Sequence, residues 1–256
     1  MVAETSPWDR LKRLTRARIG LGRAGDGLPT NALLEFQMAH ARARDAVHGA
    51  VDWDRLAAAL APLKTFSVSS AAPEKTIYLR RPDLGRVLAP GEAEKLPSGP
   101  FDIVFVIGDG LSAAACDAYG VETVKATLKL LADFSVAPIV LAHGARVALS
   151  DPIGEAMRAQ LVVMLIGERP GLSTADSLGC YLTFAPRPGR RDSERNCISN
   201  IHAHGLVPAL AAAKIAWLAR EALRLKLTGV DLKEAAPDHA LSLGLGPTVI
   251  DLTGGA

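Results

Sequence analysis

The hydrophobic pattern of the chain changes its period near residue 100. Before that point Leu33, Leu34, Phe36, Ala41 and Val47 recur at helical spacing and predict a long helix over 31–51. Trp53, Leu56 and Leu60 carry the helical region a little further. Upstream, Ser6 as N-cap, Pro7 at the first helical position and Asp9 in the box position start a short basic helix to about Arg18. From 65 to 100 the pattern loosens around Ser69-Ser-Ala-Ala-Pro73 and Leu96-Pro-Ser-Gly-Pro100, and the stretch reads as connector and surface.

Beyond Phe101, apolar runs at 101–107, 136–142, 161–166 and 180–185 alternate with helical stretches at about 111–119, 121–134, 152–158 and 207–227. The runs are apolar at nearly every position, so both faces of each strand are covered, as in a parallel sheet flanked by helices. The expected fold is α/β: a doubly wound, mostly parallel, Rossmann-like sheet with an N-terminal helical extension. The corresponding plan is a helical extension over 1–64, a connector over 65–100, an α/β domain over 101–233 and a tail over 234–256.

Composition then removes whole classes. With 256 residues, 49% hydrophobic and 22% charged, the chain has material for one well-buried domain and no bias toward disorder or repeats. A net charge of +2 implies no polyanion partner. Arg10, Lys12, Arg13, Arg16, Arg18 and Arg23 nevertheless run without an intervening acid, either as a solvated helix face or as an assembly contact. Cys116, Cys180 and Cys197 are odd in number and lack Cys-x-x-Cys spacing, which argues against a disulfide framework or zinc knuckle and for reduced thiols in a cytosol. No apolar run reaches the ~18 residues of a membrane span, so a soluble chain is expected.

Candidate chemistry gathers at strand ends, where loops of an α/β sheet converge. Gly108-Asp-Gly-Leu-Ser112, His143-Gly-Ala-Arg-Val147, Gly167-Glu-Arg-Pro-Gly171 and the segment 187–200 follow the four runs and predict one polar rim. Gly20-Leu-Gly-Arg-Ala-Gly25 spells a dinucleotide fingerprint but follows a helix rather than a strand, and reads as a turn joining two helices. Asp109, Ser112 and His143 invite a hydrolase triad, yet the Gly-x-Ser-x-Gly elbow is missing and Ser112 reads as a helix cap. His202-Ala-His204 lacks a third metal ligand, which favours exposed loop histidines. Cys197 is open to two readings: a thiolate activated by Arg195, or a binding-loop or merely buried cysteine. Glu168 is open to two more: an ion pair with Arg169, or an acceptor for ligand amides.

Five motifs, in order, carry a resemblance. They are Arg18-Ile-Gly-Leu-Gly-Arg-Ala-Gly25 with Leu28-Pro-Thr30, His40-Ala-Arg-Ala-Arg-Asp-Ala-Val-His48, Ile107-Gly-Asp-Gly-Leu-Ser-Ala113, Leu165-Ile-Gly-Glu-Arg-Pro-Gly-Leu172 and Arg195-Asn-Cys-Ile-Ser-Asn-Ile201. From about Trp8 to Lys233 the chain resembles the small (light) subunit of ethanolamine ammonia-lyase; the tail 234–256 departs from that pattern. The resemblance implies an adenosylcobalamin-dependent conversion of ethanolamine to acetaldehyde and ammonia by radical 1,2-amino migration. It places substrate and most catalytic groups on a separate large subunit, a (β/α)8 barrel, with the corrin between the chains and no catalytic residue here. The family's cobalamin contacts fall on Val147, Glu168 and Cys197. The Asp-x-His-x-x-Gly motif of a protein-supplied axial histidine is absent, with His143 and His202 held in reserve. The implied location is the cytoplasm, free or inside a bacterial microcompartment.

Overall fold

A computed structural model describes residues 7–233, so the Ser6 cap and the 234–256 tail lie outside the described residues. The first half of the chain forms α1 (Pro7–Leu14), α2 (Thr30–His48), α3 (Trp53–Leu60), β1 (Thr65–Ser69), α4 (Lys75–Arg80) and β2 (Ile103–Gly108). The second forms α5 (Ala113–Ala115), α6 (Val121–Leu130), β3 (Ile139–His143), α7 (Ser150–Ala156), β4 (Leu161–Gly167), β5 (Leu178–Phe184), β6 (Asn196–Ile201) and α8 (Pro208–Leu225). A π-helical turn, Cys116–Gly120, joins α5 to α6. The helix expected to reach Arg18 stops at Leu14.

The strands make one six-stranded sheet in the order β1-β3-β2-β4-β5-β6. β1, β3, β2 and β4 pair in parallel, β5 returns antiparallel to β4, and β6 is antiparallel to β5. The sheet is therefore mixed, which corrects the doubly wound, Rossmann-like expectation. The cause is the link from β4 to β5: residues 168–177 carry no helix, and a parallel return requires a crossover of a dozen or more residues.

Two strands escaped the hydrophobic pattern because each lies at a sheet edge. β1 lies in the segment read as connector and buries only Val68, so its Thr-Phe-Ser-Val-Ser sequence carries no strong apolar signal. β6 lies inside the polar stretch expected to be a loop, with only Ile198 and Ile201 buried.

The central strands sit between two apolar layers. Ile103, Phe105 and Ile107 of β2, with Leu161, Val163 and Leu165 of β4, face Leu56 and Leu60 of α3, Val124 of α6 and the Ala211, Ile215, Leu218 face of α8. The alternate residues Val104, Val106, Val162 and Met164 face Ile153 of α7 and its flanking residues Leu149 and Met157. Each buried Val, Leu or Ile contributes roughly 1.5–3 kcal/mol, which explains why β2 and β4 are apolar at every position.

The carboxyl ends of β2 and β4 meet backbone to backbone. Gly110 has φ +55°, and a Cβ there would lie 2.2 Å from the Gly167 carbonyl oxygen, whereas Gly91, at φ +79°, faces open space. Gly110→Ala is therefore expected to cost more than about 3 kcal/mol or prevent soluble expression, while Gly91→Ala costs only the left-handed penalty of about 1–2 kcal/mol. Urea denaturation of both variants checks this; equal midpoints would remove the steric argument.

Candidate functional site

Glu168 is placed by a chain of backbone contacts. The Leu111 amide donates to the Gly167 carbonyl at 2.9 Å, and a Cβ on Gly167 would lie 2.1 Å from the Ser112 carbonyl oxygen. Only glycine lets the turn after β2 lie against the end of β4. The next residue, Glu168, donates its amide to the Ser177 carbonyl at 2.9 Å, and the Ser112 hydroxyl donates to the Ala175 carbonyl at 2.8 Å. Both bonds hold the 168–177 loop against the sheet.

The carboxylate then folds back over β5. Its Oε2 accepts from the Ser177 hydroxyl at 2.5 Å and from the Asn200 amide at 3.3 Å, where Asn200 has left-handed backbone, φ 62°. Its Oε1 lies 3.0 Å from where a Gly179 Cβ would be and accepts no hydrogen bond from the described residues. Of the two readings of Glu168, the ion pair with Arg169 does not form: among the described residues the carboxylate is held by neutral donors, and Arg169 is exposed.

Gly179, Tyr181 and Cys197 continue this side of the sheet, because Tyr181 pairs with both Met164 and Cys197. Tyr181 packs against the Val106, Val162, Met164 layer, and so does Val147 in the 3-10 turn after β3. α8 covers the opposite face of β5 and β6. On this side Tyr181 is half-buried and Cys197 exposed, so the patch stays open. Val147, Glu168 and Cys197 thus border one side of one sheet. Cys197, however, lies within β6 rather than in a loop, and 187–200 leaves β5 at the edge opposite the other three loops, because β5 runs antiparallel.

Electrostatics keep the Cys197 thiol neutral. Partial desolvation of the sulfur pushes its pKa up, the neighbouring Tyr181 hydroxyl pulls it down, and the nearby Glu168 carboxylate pushes it up again. Of the two readings of Cys197, activation by Arg195 does not occur. Arg195 is buried and spends its guanidinium on Asp151, at 2.6 Å to each carboxylate oxygen, and on Thr183 at 2.8 Å. That bidentate pair ties the start of β6 to α7 and β5; removing either partner would strand a buried charge at a cost of about 3–5 kcal/mol.

The competing candidates resolve differently. Ser112 accepts from the Ala115 amide at 3.3 Å, as a cap does. Asp109 is locked by the Gly110 and Ala145 amides, both at 2.9 Å; burial pushes its carboxyl pKa up, against the pull of Lys75. His143 packs on Trp53 with centroids 4.4 Å apart, and burial lowers its pKa. His202 is buried, contrary to expectation: its Nδ1 accepts from the His204 amide and its ring lies where a Gly205 Cβ would go. His204 is exposed. Residues 20–25 form the turn between α1 and α2, with Gly20 against the Trp8 ring. Among the described residues no three His, Cys, Asp or Glu side chains could share a metal ion.

Two clefts, of about 800 and 570 Å³, lie elsewhere, and neither is lined by Val147, Glu168 or Cys197. An open sheet face suits a large ligand shared with a second chain better than an enclosed pocket does. The sequence reading missed Gly179, Ser177, Tyr181 and Asn200 as neighbours of Glu168. Alternation along β5 marks Tyr181 as facing away from Cys180; nothing local marks Ser177 or Asn200.

Comparison with known proteins bears on this arrangement. The family model described as ethanolamine ammonia-lyase light chain (EutC) matches residues 5–233. A protein of Bradyrhizobium diazoefficiens named ethanolamine ammonia-lyase small subunit is 54% identical over 238 residues, covering 90% of this chain and 91% of its own length. Proteins of the same name from Rhodopseudomonas palustris and Azotobacter vinelandii are 52% and 48% identical, covering 88% and 96% of this chain and 88% and 95% of their own lengths.

The site geometry makes a thiol prediction. At pH 7–8 Cys197 should alkylate more slowly than a free cysteine despite its exposure, and Tyr181→Phe should slow it further by removing the neighbouring hydroxyl that favours thiolate. Buried Cys116 and Cys180 should stay unmodified in the folded chain. Iodoacetamide rates against pH, read by mass spectrometry, check both; faster reaction in the Tyr181→Phe variant would mean that the ring acts only as a shield.

Proposed function

Because this chain belongs to the ethanolamine ammonia-lyase light-chain family and is a subunit of that carbon–nitrogen lyase, we propose that it holds adenosylcobalamin against the large subunit. Val147, Glu168 and Cys197 are the contacts in this reading. What supports it is the half-open sheet face on which Glu168, Tyr181 and Cys197 stand together.

The residues present fit the chemistry of a corrin. Its edge carries amide side arms around an apolar ring. Among the described residues nothing donates to the Glu168 Oε1, which is left for an amide N–H, while Ser177 and Asn200 hold Oε2 and so fix the carboxylate's orientation. Val147 offers apolar surface, and the neutral Cys197 thiol and Tyr181 hydroxyl offer weak polar contacts without charge. Gly179 keeps the surface beneath the carboxylate flat. When bound, adenosylcobalamin supplies the radical chemistry that converts ethanolamine to acetaldehyde and ammonia.

In this division of labour the chain binds, orients and helps to exclude water, and it contributes no acid, base or nucleophile to the reaction. The donors on Glu168 are pre-set in the folded chain, so little side-chain entropy is lost when a ligand amide arrives. The large subunit, read as a (β/α)8 barrel in a hetero-oligomer, carries the substrate. The complex works in the cytoplasm, free or inside a protein-shelled microcompartment. No helix among the described residues is long and apolar enough to cross a membrane.

The purified chain alone is expected to show no ammonia-lyase turnover and to support it once mixed with the large subunit and adenosylcobalamin; turnover by the chain alone overturns the assignment. Glu168→Ala should weaken cobalamin binding by the assembled complex roughly 10–100-fold, the loss of a charge-assisted hydrogen bond of about 1.5–3 kcal/mol. Its melting temperature should move by less than about 4 °C, because the residue lies outside both apolar layers. Titration followed by visible absorbance, with a thermal melt alongside, separates the two; unchanged affinity with a lowered melting temperature leaves Glu168 a purely structural role.

A further inference from the structure

The cleft of about 570 Å³ stands where the parallel strands divide. β2 leads into α5 and α6, in the layer of Ile103, Phe105 and Ile107, whereas its neighbour β3 leads into α7 in the opposite layer. Connections that leave adjacent strands toward opposite faces open a crevice outside the strands' carboxyl ends. The cleft occupies that position: Ser69 at the end of β1, Asp109 after β2 and His143 at the end of β3 line it, with Trp53 of α3 and Lys75 of α4. Its volume falls in the range of small-molecule sites.

Asp109 and Lys75 face each other there without closing a hydrogen bond. The Asp109 Oδ1 accepts the Gly110 and Ala145 amides, both at 2.9 Å, while Oδ2 lies 4.0 Å from the Lys75 Nζ. The ammonium donates to the Gly110 carbonyl at 3.1 Å and keeps further N–H groups for another acceptor. Burial raises the Asp109 pKa and lowers that of Lys75, as for two groups held out of bulk water. An acceptor and a donor thus stand side by side, matching a flat group that presents its own donor beside an acceptor, as a nucleobase edge does. Half-buried Trp53, with His143 packed on it at 4.4 Å, supplies an aromatic wall. Glu74 and Asp109 against Lys75 leave no surplus of positive charge for a phosphate. Asp109 and His143, two members of the triad considered from the sequence, meet at this cleft, but Ser112 does not line it and its hydroxyl donates to the Ala175 carbonyl. The triad's nucleophile is therefore missing, and the cleft is suited to binding.

We propose that this cleft is a second ligand site, for a free, uncharged nucleoside whose base places an N–H on Asp109 and a ring acceptor on Lys75 beside Trp53. The site is separate from the Glu168 face and stands independently of the cofactor reading.

The test titrates the full chain with adenosine and with cytidine, each carrying an exocyclic amine next to a ring nitrogen, by isothermal calorimetry. At least one should bind with a Kd below about 1 mM, and no saturable binding of either up to about 10 mM overturns the proposal. Purine riboside, which lacks the amine, should bind at least tenfold more weakly than adenosine, as should adenosine to Asp109→Asn and to Lys75→Met; equal affinities would mean that the pair does not read the base. Should either variant melt lower, Ser69→Phe decides, because it fills the cleft from an exposed position outside the core: lost binding supports the site and unchanged binding refutes it. Glu168→Ala should bind the nucleoside like the unaltered chain, and added adenosylcobalamin should not displace it. A loss in either arm would merge the cleft with the cofactor face and defeat the claim of a separate site.

Discussion

The arrangement of the site depends on one close contact between main chains, where the turn after β2 lies on the end of β4. Gly110 and Gly167 have no side chains to hold the two segments apart, and the Leu111 amide closes the gap onto the Gly167 carbonyl at 2.9 Å. Because Gly167 immediately precedes Glu168, the contact sets where β4 ends and where the carboxylate begins. It also brings Ser112 close enough to hold the 168–177 loop through the Ala175 carbonyl. A bulkier residue at either glycine would push apart the two strands that the rest of the sheet is built around.

That junction is followed by a change of strand direction, and the change opens the proposed cofactor face. A crossover helix after β4 would have returned the chain in parallel and covered the sheet; a short polar loop returns it antiparallel and leaves Tyr181 half-buried and Cys197 exposed on one side, with Gly179 beneath Glu168. The buried Arg195–Asp151 pair ties the edge strand to α7 on the same side of the sheet. The guanidinium and carboxylate answer each other inside the fold, although the Arg195 Nε makes no hydrogen bond among the described residues, whereas the open patch holds one carboxylate and two neutral groups. Such a division suits a surface that receives a large, amide-rich ligand without demanding a compensating cation.

The strands most legible in the hydrophobic pattern were those buried on both faces, β2, β3 and β4, which are apolar because almost no position along them meets water; β5 was legible as well, although Tyr181 and Phe184 are only half-buried. β1 and β6 were not legible, since an edge strand buries one side only and its polar residues look like a loop. Glu168 stood out as a carboxylate at a strand end between glycines. Its partners Ser177 and Asn200 did not, because they approach it through turns whose geometry leaves no periodic trace. His202 shows the same limit in reverse: a polar residue in a glycine-bearing loop looked exposed, yet the loop folds its ring inward.

By itself the sequence determined the α/β class, the apolar strands that make the core, the reduced and unpaired state expected of its cysteines, and the motifs through which its family is recognised. These are local properties: each follows from residue type, spacing and burial preference. Only the tertiary structure decided the direction of β5 and β6, the placement of Cys197 on an edge strand beside Tyr181, the commitment of Arg195 to Asp151, and the exposure of the large side chains of α2. Each of those depends on which segments meet across the fold, and short-range patterning holds no record of such meetings.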